Sequence, residues 1–275
     1  MQDKITRLRK KANWVRRQVL EMIASAGKGH IGGAFSCTDI LVALYYGGIL
    51  RFDASNPKWD RRDRFILSKG HSAAALYAIL SDFGYFPSSE LRNYQKESGI
   101  LGGHPDRKIP GIEADTGSLG HGLGIGAGLA LSAKMDKKDF ITVVLLGDGE
   151  CCEGSVWEAA MFASYRKLNN LVGIIDKNGQ CSIDFTKDCI ESEPLANKWK
   201  GFGWDVIGIN GHSFKELLSV FSNLRSRDSN RPLMIIADTV KGKGVSFMEG
   251  RLNWHHSVPK GEQLDIARKE LDYGN

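Results

Sequence analysis

The sequence predicts a doubly wound α/β fold, in which helices cover both faces of a mostly parallel sheet. Short runs of β-branched and other apolar residues alternate along the chain with helical patterns, and this alternation is typical of parallel sheets. The runs are continuously apolar, which indicates strands that are buried on both faces. The composition, with 42% hydrophobic and 25% charged residues, is that of a globular protein.

Five apolar runs are the predicted strands, and helical patterns follow three of them. The predicted strands are residues 64–67, 141–146, 171–176, 204–209 and 233–238. Helices are expected from about residue 72, over about 155–168 and from about residue 213. Residues 101–120 and 179–194 are predicted to be long loops at strand ends, where functional residues are common on such a scaffold.

Residues 2–25 are predicted to form an amphipathic helix at the N-terminus. Its apolar residues recur at spacings of three or four positions, and they are Ile5, Leu8, Ala12, Val15, Val19 and Ile23. We expect its charged face to contact solvent or another subunit rather than nucleic acid, because a net charge of +5 over 275 residues is mild. No linker rich in Pro, Gly or Ser divides the chain, so residues 1–275 are predicted to form one domain.

The longest apolar runs are much shorter than the roughly 20 residues of a membrane-spanning helix, so no membrane association is expected. Five cysteines form an odd number and include no C-x-x-C pair. Reduced thiols in the cytoplasm fit this pattern best. Cys151 and Cys152 are interpreted as small residues that fill a tight turn into a helix.

Glycines and an acid cluster where the second predicted strand ends, in the segment Gly147-Asp148-Gly149. Asn178 ends the next predicted strand, and a right-handed crossover brings both strand ends to the same carboxyl edge of the sheet. Carboxylate and amide oxygens suit Mg²⁺, which prefers to share phosphate oxygens and water. Gly147 and Gly149 allow the backbone to approach a diphosphate closely. Alternatively, Asp148 and Glu153 only stabilise the N-terminus of the following helix.

Gly-Asp-Gly followed by Asn at this spacing resembles the thiamine diphosphate fingerprint, and other segments extend the resemblance. They are G-K-G-H-I-G-G-A (27–34), L-S-K-G-H (67–71), G-G-H-P (102–105), T-G-S-L-G-H-G (116–122) and N-W-H-H (253–256). With these segments in family order, the chain from Ala24 to about Pro259 resembles the N-terminal, diphosphate-binding third of transketolases. The resemblance implies the thiamine diphosphate-binding fold of the type called the PP domain.

The resemblance also implies a site that holds thiamine diphosphate through Mg²⁺, for which Ca²⁺ or Mn²⁺ can substitute. Asp148, Asn178 and the main-chain oxygen of Gln180 are the implied metal ligands. The implied contacts to the cofactor are His71, Ser118, Leu119, Gly120, Gly147, Asp148, Gly149, Glu153, Asn178 and His255.

Histidines are the implied catalytic groups, together with Glu153. His30 and His104 would line the channel for the donor sugar, with His71 and His255 beside the cofactor. An imidazole exchanges protons near neutral pH with little perturbation of its pKa, which suits the proton transfers of ketol transfer. Glu153 matches an acid that joins two active sites at the subunit interface of the family.

Three other histidines lie outside the set of implied catalytic groups. His256 is an alternative to His255 as the residue that contacts the cofactor. The role of His121 stays open, because many family members have Gln at this position. His212 is expected to be a loop residue.

Two glycine-rich segments have alternative interpretations. G-L-G-I-G-A (122–127) matches a dinucleotide-binding fingerprint, but a poor strand precedes it. Its glycines are expected instead to let a helix that runs to Lys134 pack closely. K-G-K-G-V (241–245) could offer Lys243 to a phosphate, although a loop that covers the cofactor is the preferred interpretation.

Only sixteen residues follow Pro259, too few for the second domain on which transketolases hold the glutamate that activates the cofactor. The chain is therefore expected to be the N-terminal subunit of a split transketolase. A partner chain would supply the pyrimidine-binding and C-terminal domains, in a heterotetramer with two copies of each chain. The expected reaction transfers a two-carbon ketol unit from a ketose to an aldose, both phosphorylated or otherwise anionic.

Other functions compete with this one. They are the alpha subunit of a 2-oxo-acid dehydrogenase, a deoxyxylulose phosphate synthase and a non-catalytic cofactor-binding module. His30, His71 and His104 suit sugar hydroxyls better than a simple oxo acid. The sequence does not name the sugar: a pentose phosphate is the default, and a sulfonated or branched sugar is the alternative.

Overall fold

The computed structural model describes residues 1–190 and 192–273, which contain one parallel sheet. Its strands are β1 (Arg64–Leu67), β2 (Thr142–Gly147), β3 (Leu171–Lys177), β4 (Asp205–Asn210) and β5 (Leu233–Asp238). They pair in the order β1-β2-β3-β5-β4, and every pair is parallel. The carboxyl ends of these strands therefore all lie at one edge of the sheet.

Helices connect the strands and cover the sheet. They are α1 (Gln2–Ala26), α2 (Ile31–Ser36), α3 (Thr38–Tyr45), α4 (Ala73–Asp82), α5 (Gly122–Met135), α6 (Gly154–Tyr165), α7 (Thr186–Cys189), α8 (Leu195–Gly201), α9 (Phe214–Phe221) and α10 (Glu262–Tyr273). Short 3₁₀ helices are Gly70–Ser72, Ser88–Asn93, Gly149–Cys152 and Leu252–Trp254.

The two faces of the sheet pack into two separate hydrophobic clusters. Val143 and Leu145 of β2 join the cluster with α1 to α4, α9 and α10. Val144 and Leu146 point to the opposite face and join the cluster with α5, α6 and α8. Because successive side chains of a strand point to opposite faces, a strand covered on both sides must be apolar throughout. The predicted doubly wound α/β fold is confirmed.

The observed elements differ from the predicted ones at their ends. β2 and β4 each lie one residue later in the chain than predicted, and α6 ends at Tyr165 rather than near residue 168. The predicted loop 179–194 contains the single turn α7. β4 is an edge strand, and Ile207 remains 37% exposed, so burial on both faces holds for the inner strands and not for β4.

Helix α1 forms as predicted, and it packs against α3, α4 and α10. Arg16, one of the charged residues of α1, is buried rather than exposed to solvent. Its guanidinium donates to both carboxylate oxygens of Asp39, at 3.1 and 2.7 Å. His212, in the turn after β4, accepts from the Val240 amide through Nε2 at 2.9 Å. Its Nδ1 therefore carries the proton and donates to Asp39 at 2.6 Å.

No helix in the described part of the chain is long and apolar enough to cross a membrane.

The buried ion pair of Arg16 leads to a stability prediction. We expect Arg16→Met to lower the free energy of unfolding by about 3–5 kcal/mol, because the buried carboxylate of Asp39 loses its guanidinium partner and keeps only the hydrogen bond from His212. Arg107→Met is the matched control, since Arg107 pairs with Asp115 at the surface, where the side chains are 70% and 61% exposed. The control should cost less than about 1 kcal/mol in urea unfolding. Equal losses in the two variants would contradict the prediction.

Candidate active site

The predicted site residues lie at the carboxyl edge of the sheet. Lys69 and His71 follow β1, Asp148 follows β2, Asn178 follows β3, and Lys241 lies three residues after β5. These segments surround one cavity of about 400 Å³, a size that suits a cofactor. The arrangement agrees with the general position of ligands in doubly wound folds, outside the carboxyl ends of the strands.

Most of the predicted site residues line this cavity. They are His30, His71, His104, Leu119, Gly147, Asp148, Gly149, Glu153, Asn178, Gln180 and His255. Two predicted residues, Ser118 and Gly120, do not line the cavity. Ser118 is exposed beside the cavity, and Gly120 is buried behind it. The structure thus brings the predicted set together, and the role of each residue stays a prediction.

A buried ion pair supports one side of the cavity. Asp176 of β3 and Lys69 are 0% and 1% exposed, and the ammonium group of Lys69 donates to the carboxylate of Asp176. Burial opposes the charge of each group, but each partner outweighs it, so the pKa of Lys69 is raised and that of Asp176 is lowered. The carboxylate also accepts from Ser36 at 2.6 Å and from Thr239. Both groups are therefore charged and linked to three parts of the fold.

Three oxygen atoms that could bind a metal ion lie at the ends of β2 and β3. The carboxylate of Asp148 accepts from the amides of Gly149 at 3.0 Å and Gly179 at 2.6 Å. Asn178 donates through Nδ2 to Asp176 at 3.4 Å, and its Oδ1 accepts from the Gln180 amide at 3.1 Å. An amide oxygen has a second lone pair, which remains for a metal ion. The main-chain oxygen of Gln180 receives no hydrogen bond from any described residue.

These donors fit a divalent cation. Asp148 is only 4% exposed, and burial raises its pKa to about 6. Such a carboxylate lacks a full counter-charge, which a cation would supply. The side-chain oxygen of Gln180 is also buried without a partner among the described residues. Carboxylate, amide and carbonyl oxygens form the donor set that Mg²⁺ and Ca²⁺ prefer.

A cluster of histidines forms another wall of the cavity. The ring centre of His30 lies 5.2 Å from those of His71 and His255, 6.0 Å from that of His104 and 3.9 Å from that of His256. Within the described chain, no ring nitrogen of these histidines has a protein hydrogen-bond partner, and Nδ1 of His255 is buried. The rings are therefore available to a bound molecule.

Partial or full removal from water keeps four of these histidines neutral near pH 7. Desolvation, followed by the charges of neighbouring residues, lowers the pKa of His30 to about 4 and that of His255 to about 3. Desolvation also lowers the pKa of His71 and of His104. A neutral imidazole has one donor and one acceptor nitrogen. Near pH 7 the cluster can thus both donate to and accept from hydroxyl groups of a ligand.

His255 and His256 both line the cavity, so the structure places the two alternatives side by side. His255 is half-buried, and its ring lies 5.6 Å from that of His71. His256 is exposed and contacts His30. His255 is therefore the deeper of the two, whereas His256 lies at the rim.

Glu150 is a structural residue of the site that the sequence analysis missed. Its buried carboxylate accepts from the hydroxyl of Ser68 and from the amides of Gly120 at 2.9 Å and Gly147 at 3.1 Å. Gly120 has φ of 87°, and a Cβ there would lie 2.6 Å from the Cβ of Glu153. Glycine is therefore required at position 120, where the loop passes closely beside the exposed Glu153.

Lys241 was also missed, because it lies three residues beyond β5, whereas Asp148 and Asn178 directly follow their strands. It is 2% exposed, lines the cavity and donates to the Cys181 carbonyl at 2.9 Å. Burial and the charge of Lys69 lower its pKa to about 8. The segment 241–245 does reach the cavity, but Lys243 pairs with Glu249 at 3.0 Å instead of lining it. Its position after β5 was the signal that could have identified Lys241.

The remaining motifs have structural explanations. The segment 122–127 starts α5, and a Cβ at Gly126 would lie 2.4 Å from Val144, so the glycine allows close packing of the helix on the sheet, as predicted. Cys151 is buried in the turn before α6 and Cys152 is exposed. His121 is exposed at the start of α5.

Residues 8–275 match the family described as "Transketolase, thiamine diphosphate binding domain". The chain is thus a thiamine diphosphate-binding domain by fold and by sequence, and it belongs to the transketolase family. It is 45% identical over 257 residues to one subunit of the apulose-4-phosphate transketolase of Phocaeicola vulgatus, covering 93% of this chain and 90% of that one. It is 41% identical over 266 residues to the 6-deoxy-6-sulfo-D-fructose transketolase subunit SqwG of Clostridium sp., covering 96% of both.

The fold is also close to that of solved transketolases. The crystal structure of transketolase from Campylobacter jejuni superposes with a TM-score of 0.91 and 31% identity, covering 96% of this chain and 42% of that one. This chain therefore spans less than half the length of that transketolase. The predicted family is confirmed, and the chain matches nearly the full length of single subunits of split transketolases.

The donor set at the strand ends leads to a test of the metal site. Asp148→Ala should weaken Mg²⁺-dependent binding of thiamine diphosphate at least ~100-fold, because the only buried carboxylate of the three oxygen donors is lost. Isothermal titration calorimetry measures the affinity, and circular dichroism checks that the variant is folded. Asp136→Ala, at an exposed acid after α5, should bind like the parent. Unchanged affinity in Asp148→Ala would place the metal elsewhere.

Proposed function

We propose that this chain is the diphosphate-binding subunit of a two-chain transketolase that uses Mg²⁺ and thiamine diphosphate. The reaction transfers a two-carbon ketol unit from a ketose to an aldose. One observation carries the proposal: the oxygen donors of Asp148, Asn178 and Gln180 share a cavity with a cluster of neutral histidines. The first group suits a metal diphosphate, and the second suits a polyhydroxylated sugar.

Asp148, Asn178 and the main-chain oxygen of Gln180 would hold the metal. Lys241 is buried at the same cavity, and an anionic group there would stabilise its charged form. Gly147 and Gly149 would allow the backbone at the strand end to approach the diphosphate closely. Thiamine diphosphate, when bound, supplies the carbanion stabilisation that ketol transfer needs.

The histidines would orient the sugar and exchange protons with its oxygens. His30 is central, since its ring lies within 6.0 Å of four other imidazoles. His104 and His71 extend the same wall. In the neutral state each ring can donate a hydrogen bond to one sugar oxygen and accept a proton from another.

A second chain is part of this proposal. The chain spans 42% of the length of the transketolase from C. jejuni. Glu153 is exposed at the rim of the cavity, and its carboxylate accepts no hydrogen bond from another described residue. We infer that the partner covers this rim, contacts Glu153 and supplies the acid that activates the cofactor. A heterotetramer with two copies of each chain would provide two equivalent sites.

The names of the relatives bear on the substrate. The similar subunits of Phocaeicola vulgatus and Clostridium sp. are named for a phosphorylated and a sulfonated sugar. We infer an anionic ketose as donor and favour such a specialised sugar over a pentose phosphate. The odd cysteine count favours the cytoplasm as the location, and residues 1–275 are taken as one domain.

Turnover should require the partner chain. The purified chain with Mg²⁺ and thiamine diphosphate should convert no ketose, because this chain has no acid assigned to the activation of the cofactor. Addition of the product of a neighbouring gene that encodes the remaining transketolase domains should restore turnover in a coupled assay. Robust turnover by the chain alone would exclude the two-chain proposal.

His30 should affect the chemical step and not the binding of the cofactor. In the reconstituted complex, His30→Ala should lower kcat by ~10²–10⁴, the usual range for a lost proton-transfer group. The affinity for thiamine diphosphate should change by less than a few-fold. His121→Ala, outside the cavity, is the control. A large loss of cofactor affinity in His30→Ala would assign this ring to the diphosphate instead.

A further inference from the structure

Two cysteines in the loop that follows β3 have no role in the proposed reaction. The Sγ atoms of Cys181 and Cys189 lie 2.9 Å apart and both residues are free thiols. Cys181 lines the cavity, whereas Cys189 ends α7 and is exposed. A disulfide bond is about 2.05 Å long, so the sulfurs need to approach by only about 1 Å.

The backbone of the loop holds the two sulfurs together. The amide of Cys181 donates to the Asp184 carbonyl at 2.9 Å, and the amide of Thr186 donates to the Gly179 carbonyl at 2.9 Å. The amide of Cys189 donates to the Phe185 carbonyl at 3.2 Å. These bonds fold residues 179–189 into a compact turn, so the contact of the thiols follows from the main chain and not only from their rotamers.

Either thiol can start an exchange with a small disulfide. The two Sγ atoms are in contact, so whichever cysteine forms a mixed disulfide has the other beside it. The thiolate is the form that attacks a disulfide.

We propose that Cys181 and Cys189 are a thiol-modification site that closes to a reversible disulfide by exchange with a low-molecular-weight disulfide. The thiolate of one cysteine attacks one sulfur of the small disulfide, which forms a mixed disulfide and releases one small thiolate. The other cysteine then gives its proton to solvent and attacks the cysteine sulfur of the mixed disulfide, which releases the second small thiolate. The two cysteines lose two electrons together, and the small disulfide gains them.

The bridge would restrict the segment that forms one wall of the cavity. The carbonyl of Cys181 accepts from Lys241, and Gly149 lies so close that a Cβ there would be 3.1 Å from the Cβ of Cys181. Gln180, the neighbouring residue, is a predicted metal ligand. If the proposed function holds, the oxidised loop has fewer conformations to lose on binding, so it should bind thiamine diphosphate several-fold more tightly.

Peptide mapping of the full chain tests the site without reference to the cofactor. The chain is equilibrated with mixtures of reduced and oxidised glutathione, alkylated, digested with trypsin and examined by mass spectrometry. We expect peptide 178–187 to be linked to peptide 188–198. Cys189→Ser should abolish the link, and Cys152→Ser, which removes another exposed thiol, should retain it. Alkylation of both cysteines at every ratio, or a link from Cys181 to Cys152, would overturn the proposal.

Two further measurements test how the disulfide changes the loop and its binding of the cofactor. Native tryptic cleavage after the exposed Lys187 should be several-fold slower in the oxidised chain, because the bridge encloses this residue. Calorimetry with thiamine diphosphate and Mg²⁺ should give several-fold tighter binding to the oxidised form. Equal affinities would overturn the coupling to the cofactor. Failure of both forms to bind the cofactor would count against the proposed function, while the peptide map would still decide the disulfide.

Discussion

The buried ion pair between Lys69 and Asp176 is the interaction on which the rest of the site depends. It joins the ends of β1 and β3 across β2, and Asp176 also binds Ser36 of α2 and Thr239 after β5. Two charges that are almost fully buried are stable only as a pair with further hydrogen bonds. The pair therefore sets the relative positions of the loops that form the cavity, and Asn178 takes its amide orientation from the same carboxylate.

Burial shifts the pKa values of several groups around this pair in the direction that favours their neutral forms. Burial raises the pKa of Asp148 to about 6, lowers that of Lys241 to about 8 and lowers that of His30 to about 4. Each shift favours the neutral form, as expected of polar groups that are removed from water. A bound cation with an anionic group would reverse the penalty at the acid and at the lysine, while the histidines would stay neutral hydrogen-bonding groups.

Much of the site could be predicted because its residues occupy regular positions. Asp148 and Asn178 directly follow strands that are recognisable from their apolar runs, and a parallel sheet brings such positions to one edge. Lys241 lies three residues beyond its strand, and Glu150 acts through amides of distant loops. Arg16 belongs to a charged helix face, yet it is buried against Asp39 of α3, which His212 after β4 also binds. No local pattern signals such partners.

The sequence by itself determined the class of fold, the five strands along the chain and the family, because these follow from periodicity and from motifs of contiguous residues. Only the tertiary structure decided that His255 is deeper than His256, that Lys241 rather than Lys243 lines the cavity, and that Cys181 contacts Cys189. The physical reason is that side-chain burial and contact depend on how loops pack together, and a change of one residue along a loop reverses which side chain points inward.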